Sequence, residues 1–224
     1  MFNPKLSPKF SQSSESGYTL LESIMAMVVV SVLMVAISPV LGFAFATRVQ
    51  ARRIELASRA ANSYISAVRA DPTNEHQNLV LLNPGEPNAG PTATGSLNCG
   101  AGQACSTPAN LFCVDNDGTG RCETNSPTDM IVQGIGINCS DELQDGYQLI
   151  VRVYRADAFA QSGQLEGAND DGSSNVASSR VGLGSPRDSL VQVRTEISPS
   201  SNNSFRSLRD RLAGKGCSSD DAED

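Results

Sequence analysis

The feature that most constrains this chain is an apolar run over residues 24–46, interrupted only by Ser31, Ser38, Pro39 and Gly42. Coiled as a helix at about 1.5 Å per residue, it is about 35 Å long, enough to cross a hydrocarbon core of about 30 Å. Just before it stands one carboxylate, Glu22, preceded by a polar, serine-rich stretch, residues 1–17, in which Pro4 and Pro8 oppose a stable helix. A carboxylate at the mouth of an apolar helix is costly to bury unpaired, with groups of this class carrying penalties of about 2.5–3.5 kcal/mol at the bilayer centre. A cation is therefore expected beside Glu22. If the chain is cut after Gly17, the new amino group of Tyr18 supplies it, either one helical turn back on the same chain or on a neighbouring copy. A secretory signal peptide is the rival reading, with a small-residue site at Ala44-Phe45-Ala46. Signal hydrophobic regions span about 7–15 residues, however, and this run is longer.

A glycine before the cut, an aromatic after it, Thr19-Leu20-Leu21, a glutamate fifth in the mature chain and a proline deeper in the helix together resemble the type IV pilin family, pseudopilins included. Gly17, Tyr18, Glu22 and Pro39 carry the resemblance. The leader is longer than is common in that family, and Tyr18 stands where phenylalanine is usual. The resemblance implies cleavage after Gly17 by a prepilin peptidase, N-methylation of Tyr18, a kink at Pro39, and registration of one subunit against the next through Glu22. It implies other pilins or pseudopilins, an assembly platform and a motor as partners. It also implies a precursor that spans the inner membrane once with its head in the periplasm, and a pilus or type II secretion-like filament as its destination. Residues 59–69, RAANSYISAVR, are similar to pseudopilins linked to polysaccharide secretion in cyanobacteria.

The 224 residues divide on this reading into a leader, 1–17, a long helix, 18–70, with its span at about 24–46, and one head domain, 71–224. Losing Lys5, Lys9 and Glu15 with the leader takes the formal charge from -7 to -8, a balance that argues against a nucleic-acid partner. Orientation is contested by Arg48, Arg52, Arg53 and Arg59, which follow the span and by the positive-inside rule would hold the C-terminal part in the cytoplasm. The cysteines point the other way. Cys99, Cys105, Cys113, Cys122, Cys139 and Cys217 contain no CxxC, and with His76 as the only histidine they do not complete the usual zinc ligand sets. Disulfides are expected instead, which require an oxidising compartment. Five of the six lie between 99 and 139, so if all pair, Cys217 bonds to one of those five. Resemblance to pilins, which commonly staple the C-terminal region to the sheet, selects Cys139 and leaves three pairings open among the other four.

The fold class expected is α+β: a long N-terminal helix, its first half transmembrane, packed on a small antiparallel sheet with disulfide-stapled loops. The helix continues past the span because Ile54, Ala57, Ala61, Tyr64, Ile65 and Val68 recur at three- and four-residue steps, and it ends near Ala70, ahead of Asp71-Pro72. Residues 71–128, rich in Pro, Gly, Asn, Ser and Thr, read as crosslinked loops with a short strand at 79–82. Strands are expected at 130–137, interrupted by Gly134 and Gly136, at 147–154 and at 190–197. An exposed loop is expected over 156–188, and a short helix around 205–212 before the acidic end.

Asp115-Asn116-Asp117-Gly118-Thr119-Gly120 offers Asp115, Asp117 and Thr119 as hard oxygen ligands for calcium, the one cofactor the sequence suggests. An EF-hand needs a bidentate acid at its twelfth position, where Ser126 stands, so a turn is the expected reading. No catalytic residues are expected, since His76 has no identifiable nucleophile or acid-base partner and there is no phosphate or dinucleotide loop. Two further functions compete with a structural filament subunit. One is a ligand-binding tip, an adhesin or DNA-uptake subunit, using Arg180, Arg187, Arg194, Arg206, Arg209 and Arg211 as a basic face, though without aromatic platforms. The other is a single-span anchored protein that never assembles.

Overall fold

A computed structural model describes residues 19–72, 79–82, 89–138, 143–167, 185–199 and 208–209. Helix α1, Leu20–Ala70, is the longest element and passes through Pro39. The chain divides into two compact units, residues 1–45 and 46–224. Within the first unit every described residue is solvent-exposed, including Leu20, Met27, Met34, Val35 and Phe45.

The second unit is built on a five-stranded sheet. Strands β6, Met130–Ile137, β7, Tyr147–Arg155, and β9, Val191–Ile197, pair antiparallel in that order, with Gly134 opposite Val151 and Val151 opposite Val193. Two short strands share the other edge of β6: β4, Phe112–Val114, runs antiparallel to its start and β1, Val80–Leu82, parallel to its end. One face of the sheet receives the second half of α1. Ala57, Ala60, Ala61, Tyr64, Ile65 and Val68 are buried there with Met130, Val132, Leu149, Val151 and Val153. The three-to-four spacing on the helix meets the two-residue spacing of the strands, as a core between these elements requires. Arg69 adds a hydrogen bond of 2.8 Å to the Thr195 hydroxyl on β9.

The opposite face is also covered. A second apolar cluster joins Ile131 and Tyr154 of the sheet to Leu111, Phe159, Leu165 and two disulfides, Cys99–Cys105 and Cys113–Cys122. Short strands knit this layer: β2, Thr92–Ala93, with β8, Gly163–Gln164, and β3, Cys99–Gly100, with β5, Arg121–Cys122. Residues 71–128 thus hold strands too short to show a period.

Two expectations are corrected here. Gly134 and Gly136 do not interrupt β6. A Cβ at Gly134 would sit 2.1 Å from the Tyr64 hydroxyl oxygen, and one at Gly136 2.7 Å from a Leu81 methyl, so both glycines admit side chains from neighbouring elements. The segment from Ala156 is also not an exposed loop at its start, because a 3-10 helix, Ala156–Ala160, buries Ala156, Ala158 and Phe159 in the second cluster. Residues 168–184 of that expected loop lie outside the described residues, as do Gly17, Tyr18, His76, Cys139 and Cys217. Of the short helix expected around 205–212, Leu208 and Arg209 are described, and both are helical.

Candidate functional site

The start of α1 is set by local chemistry. Thr19 is the N-cap: its carbonyl accepts from the Glu22 and Ser23 amides at 2.9 and 3.2 Å, and its hydroxyl accepts from the Glu22 amide at 3.3 Å. Thr19-Leu20-Leu21-Glu22 has the spacing of a capping box, with a threonine cap and a glutamate at the third helical position. Glu22 is exposed in that first turn, where the positive end of the helix dipole favours a carboxylate. The glutamate is therefore placed where its charge favours the helix start, beside the pairing role expected for it. The signal for that placement was present in the sequence, four residues long.

Beyond Glu22 the helix disposes of its own polar groups. The Ser23 hydroxyl donates to the Leu20 carbonyl at 2.9 Å and the Ser31 hydroxyl to the Met27 carbonyl at 2.7 Å, so neither serine presents an unmet donor to an apolar environment. Pro39 lacks the amide that would bond four residues back, yet α1 continues on both sides of it. No residue of the 18-residue window that is apolar enough to cross a membrane is buried within the chain. A helix apolar all round and uncovered needs lipid or other apolar helices as its surroundings.

The acidic loop expected at Asp115 and Asp117 gains a third member, Asp129, which is fully buried; one carboxylate oxygen from each lies within 4.8 Å of the others. These oxygens already serve backbone amides. Asp115 accepts from Asp117 and Gly118 at 3.0 and 2.7 Å and from Gly120 at 2.7 Å, and Asp129 from Asn116 and Glu123 at 3.1 and 3.3 Å. Asp117 accepts from the Thr119 amide at 3.1 Å and from the Ser126 hydroxyl at 2.8 Å. The Ser126 hydroxyl foremost, and Thr119 after it, hold the Asp117 carboxyl below the usual range. Ser126, at the position where an EF-hand carries its acid, thus donates to the Asp117 carboxylate. Asp129 lies too far along the chain for any local pattern to have joined it to Asp115.

The arginines proposed as a basic face are partly engaged. Arg187 donates to the Gln164 and Ser162 carbonyls at 2.8 and 3.1 Å, tying the segment ahead of β9 to β8 and the residue before it. Arg180, Arg206 and Arg211 lie outside the described residues.

Residues 12–38 match the family model of the prokaryotic N-terminal methylation motif. No curated protein and no solved structure matches the chain. The motif and the uncovered apolar helix that contains most of it support a type IV pilin-like prepilin. They point to a structural, membrane-anchored precursor.

Proposed function

We propose that this chain is a structural subunit, a minor pilin or pseudopilin, of a type IV pilus or type II secretion-like filament. The observation that carries this reading is the coincidence of the methylation motif at residues 12–38 with a helix whose apolar side chains, from Leu20 to Phe45, are exposed among the described residues. In this account prepilin peptidase cuts after Gly17, Tyr18 becomes the methylated N-terminal residue, and α1 is handed from the bilayer to other pilin helices by an assembly platform and motor. The head lies in the periplasm before assembly. A disulfide between Cys139 and Cys217 holds the C-terminal tail to the head.

Two measurements test the reading. The mass and first residue of the protein taken from cells should correspond to Tyr18 carrying one methyl group; a native start at Met1 or Thr47 overturns the proposal. Glu22→Gln keeps a residue suited to the third position of a capping box but removes the charge. It should abolish incorporation into sheared filaments as fully as Glu22→Ala does. If Glu22→Gln assembles normally and only Glu22→Ala fails, the glutamate serves helix initiation and not subunit pairing. Normal incorporation of both variants would favour an anchor that never assembles.

A further inference from the structure

Past the apolar run, α1 carries a row of cations on one side. Arg48, Arg52 and Arg59 line a single groove with Ala51, Glu55 and Leu56, all at three- and four-residue steps. The row is uneven in its pairing. Arg59 bonds Glu55 at 2.5 Å, whereas Arg48 and Arg52, both exposed, form no ion pair among the described residues. Arg53 is half-buried on another side of the helix, with Arg155 and Asp157 as its charged neighbours.

Position along the helix separates these residues in the same way. Measured from Ala46 at about 1.5 Å per residue, Arg48 lies about 3 Å and Arg52 about 9 Å beyond the apolar run, while Arg59 lies about 20 Å beyond. A headgroup layer is about 5–8 Å thick on each side of the hydrocarbon core. The two unpaired cations therefore fall within or at the edge of that layer, with side chains long enough to reach phosphate. The cation beyond it has its own acid. Guanidinium groups bind phosphate through two parallel hydrogen bonds, which suits them to phospholipid headgroups more than to water alone.

We propose that Arg48 and Arg52 form a binding site for an anionic phospholipid headgroup at the end of the membrane span. This rests on the membrane-anchored reading given above, and holds whichever side of the bilayer the head occupies. It also accounts for arginines that sit awkwardly with the positive-inside rule: they serve to hold lipid. Such a site fixes how deep the helix sits before assembly, and it is vacated when the helix leaves the bilayer.

The test uses the full chain in phosphatidylcholine bilayers containing a trace of spin-labelled phosphatidylglycerol or spin-labelled phosphatidylcholine, reading the motionally restricted fraction of each. A basic residue at a charged membrane surface favours an anionic lipid by about fivefold. The wild type should restrict phosphatidylglycerol several-fold more than phosphatidylcholine. That preference should vanish in Arg48→Gln/Arg52→Gln, return in Arg48→Lys/Arg52→Lys, and survive in Arg59→Gln. Equal restriction of the two lipids by the wild type, or a preference that persists in the double glutamine variant, overturns the site. A preference that is lost on dilution of protein in lipid would place a second copy of the chain against these arginines and overturns the lipid assignment. Release of the wild type from carbonate-washed membranes would overturn the anchored reading and the site together, whereas retention of every variant there keeps the first reading separate from the second.

Discussion

Gly134 shows how much a single missing side chain can decide. Its Cα faces Tyr64, which is fully buried and packs edge-on against Phe112 with ring centroids 5.5 Å apart, so the phenol has no room to retreat. Gly134→Ala is expected to destabilise the fold by about 1–3 kcal/mol, as overpacked cores do. Tyr64→Phe should restore part of that loss when combined with it, because the nearest clashing atom is the hydroxyl oxygen, and denaturant midpoints of the two single variants and the double would measure the coupling. At the acidic loop, the amides and the Ser126 hydroxyl that already bond Asp115, Asp117 and Asp129 offset the repulsion of three gathered carboxylates. Millimolar calcium is therefore expected to leave the melting temperature unchanged; a rise of several degrees would assign the loop to a cation.

Elements long enough to repeat a pattern were legible in the sequence. Helix α1 ends at Ala70, where Asp71-Pro72 halts the apolar stripe, and β6, β7 and β9 lie within a residue or so of the strand-like runs at 130–137, 147–154 and 190–197. What was not legible depends on partners distant in sequence. Strands β2, β3, β5 and β8 span two residues each and exist because of what they pair with, and Phe159 turns inward because Tyr154 waits for it at 6.4 Å. At the candidate assembly site, Glu22 and Pro39 stood out by chemistry, whereas the capping role of Thr19 needed the helix start to be located. The crosslinked layer should depend on its bridges more than the helix and sheet do. In the chain-entropy account, Cys113→Ala/Cys122→Ala, which opens a bridge between residues nine apart, costs about 2–3 kcal/mol. Hydrogen exchange of the variant should rise in β3, β5 and the 3-10 helix before it rises in β7.

Taken whole, the second unit is two apolar layers on either side of one sheet, and tyrosines report on both. Tyr64 and Tyr147 belong to the helix side and Tyr154 to the other. Burial raises the phenol of each, that of Tyr147 to about 12, and Tyr147 and Tyr154 also donate to the Pro72 and Glu166 carbonyls at 3.1 and 2.7 Å. An unfolded tyrosine releases its proton near pH 10, so above that pH the native state holds protons the unfolded chain has lost. The contribution of these tyrosines to stability is complete below about pH 10 and is lost as pH rises through the Tyr147 value. In a base titration of the detergent-solubilised chain, the tyrosinate absorbance of these three residues should rise together with the loss of far-ultraviolet ellipticity and not ahead of it. The two bridges carry a different consequence for how the protein is made. Cys105 meets Cys99 six residues behind it, and Cys122 meets Cys113 nine residues behind. If the head is delivered to the periplasm as proposed, each of these later sulfurs emerges with its mate already outside and no other cysteine between them, so both rings can close in order of arrival without an isomerase to undo a wrong pair.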